Sequence, residues 1–178
     1  MRRTAAAHPT WGVIGVDATA GDPMRATARR LAAKPARGGL PNALLGRLSL
    51  EDAPGELAGL ADRLTVLLPW GGLLRAVARG EARGLAALRG LARPGAELRV
   101  VFGYAATSEA AAVATLGLPE IGETALGDLE ARYRDAGFAV TARPVGVEVV
   151  RELETTWAGK IGWSQHRRHF VEVTGRCR

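Results

Sequence analysis

Apolar runs of strand length alternate with helically spaced segments along the whole chain, and that alternation narrows the possible architectures more than any other feature. "WGVIGVD" (11–17), "ALLGRLSL" (43–50), "LTVLL" (64–68), "ELRVVFGY" (97–104), residues 138–143 and "HFVEVTG" (169–175) read as strands. Between the first two, Met24, Ala28, Leu31 and Ala32 fall on one side of residues 24–33 while Arg25, Arg29 and Arg30 stay wet, the pattern of an amphipathic helix. A brief helix is expected at 55–61 and a long helical stretch through 73–92, ended by Pro94-Gly95. Further helices are expected near 108–116, 125–136 (stopped by Gly137) and 147–158. Such alternation requires a layered α/β fold with a mostly parallel sheet, because a parallel crossover needs about a helix's length of chain. The last two strands are expected to form an antiparallel edge.

At 178 residues, 47% of them apolar, the chain is expected to form a single domain over 1–178 with a proper core. No apolar run approaches the roughly 18–20 residues of a membrane span, and "MRRTAAAHPTWG" lacks the apolar centre of a signal peptide. A cytoplasmic protein without a membrane partner is expected. Cys177 is the single cysteine and forms no internal disulfide, while His8, His166 and His169 are too few and scattered for a metal site. Charge says more. Lysine and arginine total 24 against 18 acids, a net +6, and every basic residue except Lys34 and Lys160 is arginine. Guanidinium forks suit bidentate contacts with phosphate, so the excess points to a polyanionic partner.

"TVLLPWGGLLR" (65–75) ends a strand in Pro69-Trp70 and follows it with two glycines. An indole at the mouth of a strand serves either as an ordinary rim aromatic or as a stacking surface for a nucleic-acid base. Ligands of open α/β sheets sit beyond the carboxyl ends of the strands, a rule that puts Asp17, Glu51, Pro69-Trp70 and Tyr104 along one rim. An acid ending a second strand commonly holds a ribose hydroxyl pair; a capping or loop aspartate is the alternative for Asp17.

"GVD", "KPARGGLPN", "LLPWGGLLR", "TTWAGK" and "RRHFVEVTG", in this order, resemble the aminoglycoside-resistance 16S rRNA (adenine(1408)-N(1))-methyltransferases, from Trp11 to Arg176. The resemblance implies a Rossmann-like class I methyltransferase sheet, S-adenosylmethionine as cofactor, and 16S rRNA in the small ribosomal subunit as partner of a monomeric enzyme. It further implies that Asp17 holds the cofactor ribose, that Leu50 and Glu51 lie near its adenine, and that Leu67 lines its pocket. Trp70 and Trp157 match two tryptophans that sandwich the flipped target adenine. Thr155, Lys160, Arg167 and Arg168 match residues that grip the RNA, with Arg168 the candidate for stabilising the flipped nucleotide. Packing is the alternative for Trp157, since Val150, Leu153 and Trp157 share one side of a helical pattern. An adenine N(1) carries its own lone pair, so Glu51 reads as a positioning residue and not as a base.

The family's first strand and its acidic, glycine-rich loop have no counterpart in "MRRTAAAHPT", which precedes the first strand here; Ala18 and Gly72 also depart from the pattern. The absent strand belongs at the sheet centre, between the family's second and fourth strands. The domain is therefore expected to be N-terminally incomplete, from an internal start of a longer protein or from decay, and its activity impaired. A silent RNA-binding relative and a class I methyltransferase acting on tRNA guanine remain alternative functions. In a calorimetric titration, S-adenosylmethionine is expected to bind these residues more weakly than micromolar.

Overall fold

In the computed structural model, residues 1–19, 21–153 and 168–178 are described. They include seven α-helices and six strands, in two sheets. The chain clusters into two compact units, Met1–Ala53 and Pro54–Arg178.

The first unit begins with a helix the sequence pattern does not announce, α1 (Arg2–Ala7), followed by β1 (Val13–Asp17), α2 (Asp22–Leu31) and β2 (Ala43–Arg47). The α2 helix starts where expected of its residues: Gly21 caps it, Pro23 occupies its first turn beside Asp22, and Arg29 and Arg30 fall in its last turn, where positive charge suits the dipole. β1 and β2 pair in parallel, Ile14 beside Leu44 and Asp17 beside Arg47. Helix α1 belongs to the face bearing Gly15, where any Cβ would collide with the Met1 thioether. The Asn42 amide Nδ2 lies 2.9 Å, 3.1 Å and 3.0 Å from the carbonyls of Ala5, His8 and Trp11, fastening the N-terminal segment to the start of β2.

The second unit runs β3 (Ala61–Leu67), α3 (Gly71–Arg79), α4 (Ala82–Leu91), β4 (Ala92–Tyr104), α5 (Ala110–Leu116), α6 (Glu123–Asp135), β5 (Phe138–Val145), α7 (Val147–Glu152) and β6 (His169–Cys177). Its strand order is β3-β4-β6-β5. β3 and β4 are parallel, and β6 is antiparallel to both β4 and β5, which gives the antiparallel edge expected. Among the described residues β1 pairs only with β2, and β3 only with β4 on its side of the sheet.

Four expectations need correction. The brief helix at 55–61 is a single 3-10 turn, Gly55–Leu57, with β3 starting at Ala61, and the helix expected at 147–158 ends at Glu152, where Leu153 turns extended. The single helical stretch through 73–92 is two helices, because Gly80 takes the left-handed conformation (φ 65°) that ends α3. Pro94-Gly95 does not precede the next strand but lies inside β4, where the register against β3 shifts between Ala61 and Arg63. An irregularity of this kind accommodates a proline, which has no N–H for the ladder.

One face of the second sheet presents Leu98, Val100 and Phe102 beside Val173 and Val171, all buried. Against it lie Leu74 and Val77 of α3, Leu85 and Leu88 of α4, and Leu129 and Tyr133 of α6; the Tyr133 hydroxyl donates to the Val77 carbonyl at 3.2 Å. The other face carries a smaller cluster at its carboxyl end, where Val101 and Phe170 meet Val150 of α7 and Leu153. Further down that face, Glu172 sits with its side chain 5% exposed between Arg99 (2.9 Å) and Arg143 (2.5 Å), on the two neighbouring strands. Burial pushes its carboxyl upward, but the hydrogen bonds from Arg143 and Arg99 and their charges outweigh that and hold it below the ordinary value.

A carboxyl held low contributes stability that is complete above its ordinary value and lost as pH falls through the lower, folded one. Glu172→Gln is therefore expected to cost about 1–2 kcal/mol at neutral pH. In urea melts the gap between parent and variant should shrink once the pH drops below the ordinary value of 4.5.

Candidate active site and nucleic-acid interface

In the first unit the parallel pairing brings the carboxyl ends of β1 and β2 to one edge. Asp17 ends β1, exposed, with Oδ1 accepting the Thr19 N–H at 2.7 Å in an Asx-turn. The Leu48 N–H donates to the Asp17 carbonyl at 3.0 Å, and Arg47 Nε to the Ala18 carbonyl at 3.2 Å. These bonds tie the two strand ends together. The chain then enters the short 3-10 turn Leu50–Asp52, with Ser49 Oγ donating to the Asp52 carboxylate at 2.7 Å. Leu50 is half-buried and Glu51 exposed. Asp17, Leu50 and Glu51 thus share the edge that their sequence positions anticipate.

Leu67, Trp70 and Arg168 belong to the second unit. Leu67 is half-buried against the cluster of Val101, Val150, Leu153 and Phe170, and so is Leu68. Leu68 has φ 49°, and among the described residues it alone takes a positive φ without being glycine. A leucine there costs on the order of 1–2 kcal/mol; its N–H bond to the Val101 carbonyl at 2.8 Å and its packing on the cluster hold it in place. Trp70 follows in extended conformation as the N-cap of α3, and Gly71 returns to positive φ (59°). Two left-handed residues bracketing Pro69-Trp70 swing the chain outward, so the indole stands 56% exposed. A tryptophan this open has given up much of the burial that stabilises its kind.

Arg168 occupies an unexpected environment. Its side chain is 8% exposed, with Nη1 donating to the Gly103 carbonyl at 3.1 Å and Nη2 to the Glu109 carboxylate. The other Glu109 oxygen accepts the Ala105 N–H at 2.9 Å. Arg168 therefore fastens the turn after β4 to the start of β6, while its Nε is buried and meets no hydrogen-bond partner among the described residues. Tyr104, expected at the rim, is buried; its hydroxyl donates to the Pro119 carbonyl and desolvation raises its pKa to about 12, which keeps it a neutral donor. Thr155, Trp157, Lys160 and Arg167 lie outside the described residues. The described residues on either side of that stretch are Leu153, in the cluster on which Leu68 packs, and Arg168, bonded to the Gly103 carbonyl.

Sequence reasoning missed Leu68 and Glu109. Leucine carries no signal for a left-handed backbone, and an acid in a helical pattern reads as a solvated surface residue. Among the described residues no group of His, Cys, Asp and Glu could hold a metal, and no helix is long and apolar enough to cross a membrane. The groups at hand are an exposed aromatic plane, an exposed carboxylate at a strand end, and arginines.

The family model described as "NpmA: 16S rRNA (adenine(1408)-N(1))-methyltransferase" matches residues 1–176. A 16S rRNA (adenine(1408)-N(1))-methyltransferase of Streptoalloteichus hindustanus is 34% identical over 98% of this chain and 80% of its own length. Among solved structures, a mutant of the 16S rRNA (adenine(1408)-N(1))-methyltransferase from Catenulisporales acidiphilia, crystallised with cosubstrate SAM, superposes with a TM-score of 0.82. It is 35% identical over 99% of this chain and 79% of that one. The aminoglycoside resistance methyltransferase NpmB1 gives a TM-score of 0.79 at 36% identity, covering 98% and 80% of the two chains.

The burial of Arg168 has a measurable consequence. Arg168→Gln strands the Glu109 carboxylate and is expected to cost about 3 kcal/mol, read as a lower urea midpoint. An arginine standing free on the surface would leave the midpoint unchanged.

Proposed function

Because this chain belongs to the 16S rRNA (adenine(1408)-N(1))-methyltransferase family, we propose that it transfers a methyl group from S-adenosylmethionine to N(1) of an adenine in the decoding region of 16S rRNA, conferring aminoglycoside resistance. It acts as a monomer in the cytoplasm, on the assembled small subunit. The observation that carries this reading is Trp70, an indole held open by a strained turn at the carboxyl end of a strand.

A base within folded RNA must leave its stack before its pairing edge can react, at a cost of a few kcal/mol. Stacking on an aromatic side chain returns roughly 1–3 kcal/mol per base. Trp70 offers one face for this, and Trp157 is the second. Arg168, joined to Glu109, is fixed immediately after the segment that carries Trp157 in sequence; Thr155, Lys160 and Arg167 contact the RNA backbone. N(1) attacks with its own lone pair, so the bond to carbon forms as the carbon–sulfur bond breaks and no general base is required. Orientation supplies most of the rate.

The cofactor, when bound, supplies an electrophilic methyl group on a sulfonium. The first unit fits its adenosine half. Among the described residues only Oδ1 of Asp17 is engaged, leaving Oδ2 for a ribose hydroxyl, and Leu50 and Glu51 lie on the same edge for the adenine. A second reading is an RNA-binding relative with little transferase activity, which would keep the exposed Trp70 and the excess of basic side chains.

Primer extension on 16S rRNA from cells expressing the chain separates the two, since N(1)-methyladenine blocks the polymerase. A stop at adenine(1408) supports the transferase. Its absence together with retained binding to the small subunit supports the second reading. Trp70→Ala is expected to lower methyl transfer about tenfold to a hundredfold, with a melting temperature near that of the parent because the ring is largely exposed.

A further inference from the structure

The sheet of the second unit is covered unevenly. Its hydrophobic face is closed by α3, α4 and α6, but on the opposite face the apolar packing is confined to the carboxyl end, at Val101 and Phe170. Sheets with parallel strands usually have both faces buried under apolar side chains. Here the remaining half of the face carries none of that kind. Register places one arginine from each strand on it: Arg63 of β3 and Arg176 of β6 flank Glu97 of β4, while Arg99 of β4 and Arg143 of β5 flank Glu172 of β6. Thr65, Thr141 and Thr174 fill positions between them and are exposed.

Each carboxylate is shared by two guanidinium groups. Glu97 meets Arg63 at 2.5 Å and Arg176 at 3.4 Å, and Glu172 meets Arg99 and Arg143 at 2.9 Å and 2.5 Å. Four positive charges against two negative ones leave the surface net positive, with the four arginine side chains still 43–66% exposed. The acids therefore aim the guanidinium forks without neutralising them. Planar forks and hydroxyl groups are what phosphate oxygens bind, and they position a nucleic acid without reading its bases. The described strand positions of this half hold no aromatic residue. A polyanion fits this surface; an apolar helix does not.

We propose that this arginine-rich half of the sheet is a second phosphate-binding surface, which takes the backbone of folded RNA apart from the reacting nucleotide. It rests on the reading of rRNA as the substrate, and it adds a sequence-independent contact to the one made at the rim.

The test is fluorescence anisotropy of a labelled RNA duplex titrated with the full chain over a series of salt concentrations. In the double variant Arg63→Gln/Arg176→Gln the plot of log affinity against log salt should become shallower by about 1–2 units, since each lost phosphate contact removes close to one. Affinity in dilute salt should drop about tenfold or more. Thr174→Glu leaves every ion pair in place and puts a negative charge on the surface; it should weaken binding likewise, and it decides the matter if the double variant melts early. Slopes and affinities equal to the parent's, or a parent that binds no duplex, overturn the proposal. Displacement of the RNA by polyglutamate at equal charge concentration overturns the choice of RNA over an acidic protein. Methyl transfer at adenine(1408), scored separately, decides the rim chemistry alone, so loss of one result leaves the other standing.

Discussion

The carboxyl half of β4 is buried on both sides, and the organisation of the second unit follows from that. Val100, Phe102 and Tyr104 face the helices α3 and α6, while Val101 faces α7 and Gly103 packs under Phe170. Any Cβ at Gly103 would overlap the Phe170 ring, so strand and ring approach as closely as only glycine permits. A strand gripped in this way on two faces, with hydrogen-bonded neighbours on both edges, is a rigid reference for whatever is attached to its end. Leu68 is attached by its bond to Val101, Arg168 by its bond to Gly103, and Leu153 by packing on Val101.

The strain at Leu68 makes sense in that setting. An unsupported leucine would relax out of the left-handed region and let Trp70 fold back onto apolar surface, which is where an indole is normally more stable. Burial of the leucine side chain on the cluster opposes this relaxation with energy of the same order as the strain itself, roughly 1–3 kcal/mol. Core packing thus maintains an exposed aromatic surface. Arg168 expresses the same economy at the neighbouring strand: a charge taken out of water is held by a carboxylate and a carbonyl, and in return fixes the loop that ends β4.

Much of this architecture was legible in the residues. Periodicity located every strand, because alternation and β-branched runs survive whatever the tertiary context. Helix ends were less secure. Gly80 split a helical stretch that looked continuous, since a glycine inside such a pattern is as compatible with a weak interior position as with a stop. Pro94-Gly95 looked like a breaker, yet β4 absorbs it in a register shift that no local signal reports. Helix α1 has no amphipathic stripe of its own; Ala5 is buried because the strands beneath it provide a surface.

What the sequence by itself determined is the order of the described strands, their mostly parallel pairing with an antiparallel edge, and the family, since those depend on local periodicity and on short motifs at fixed spacing. Only the tertiary structure decided how particular charges are used. Arg168 and Arg99 are both basic residues beside strand positions, and nothing in their neighbours distinguishes a buried tie from a member of an exposed array. The difference arises from where along the sheet each guanidinium lies and from which carboxylate, distant in the chain, meets it. Long-range pairing fixes that, because a carboxylate on β6 or on the turn after β4 becomes a neighbour only once the strands have aligned.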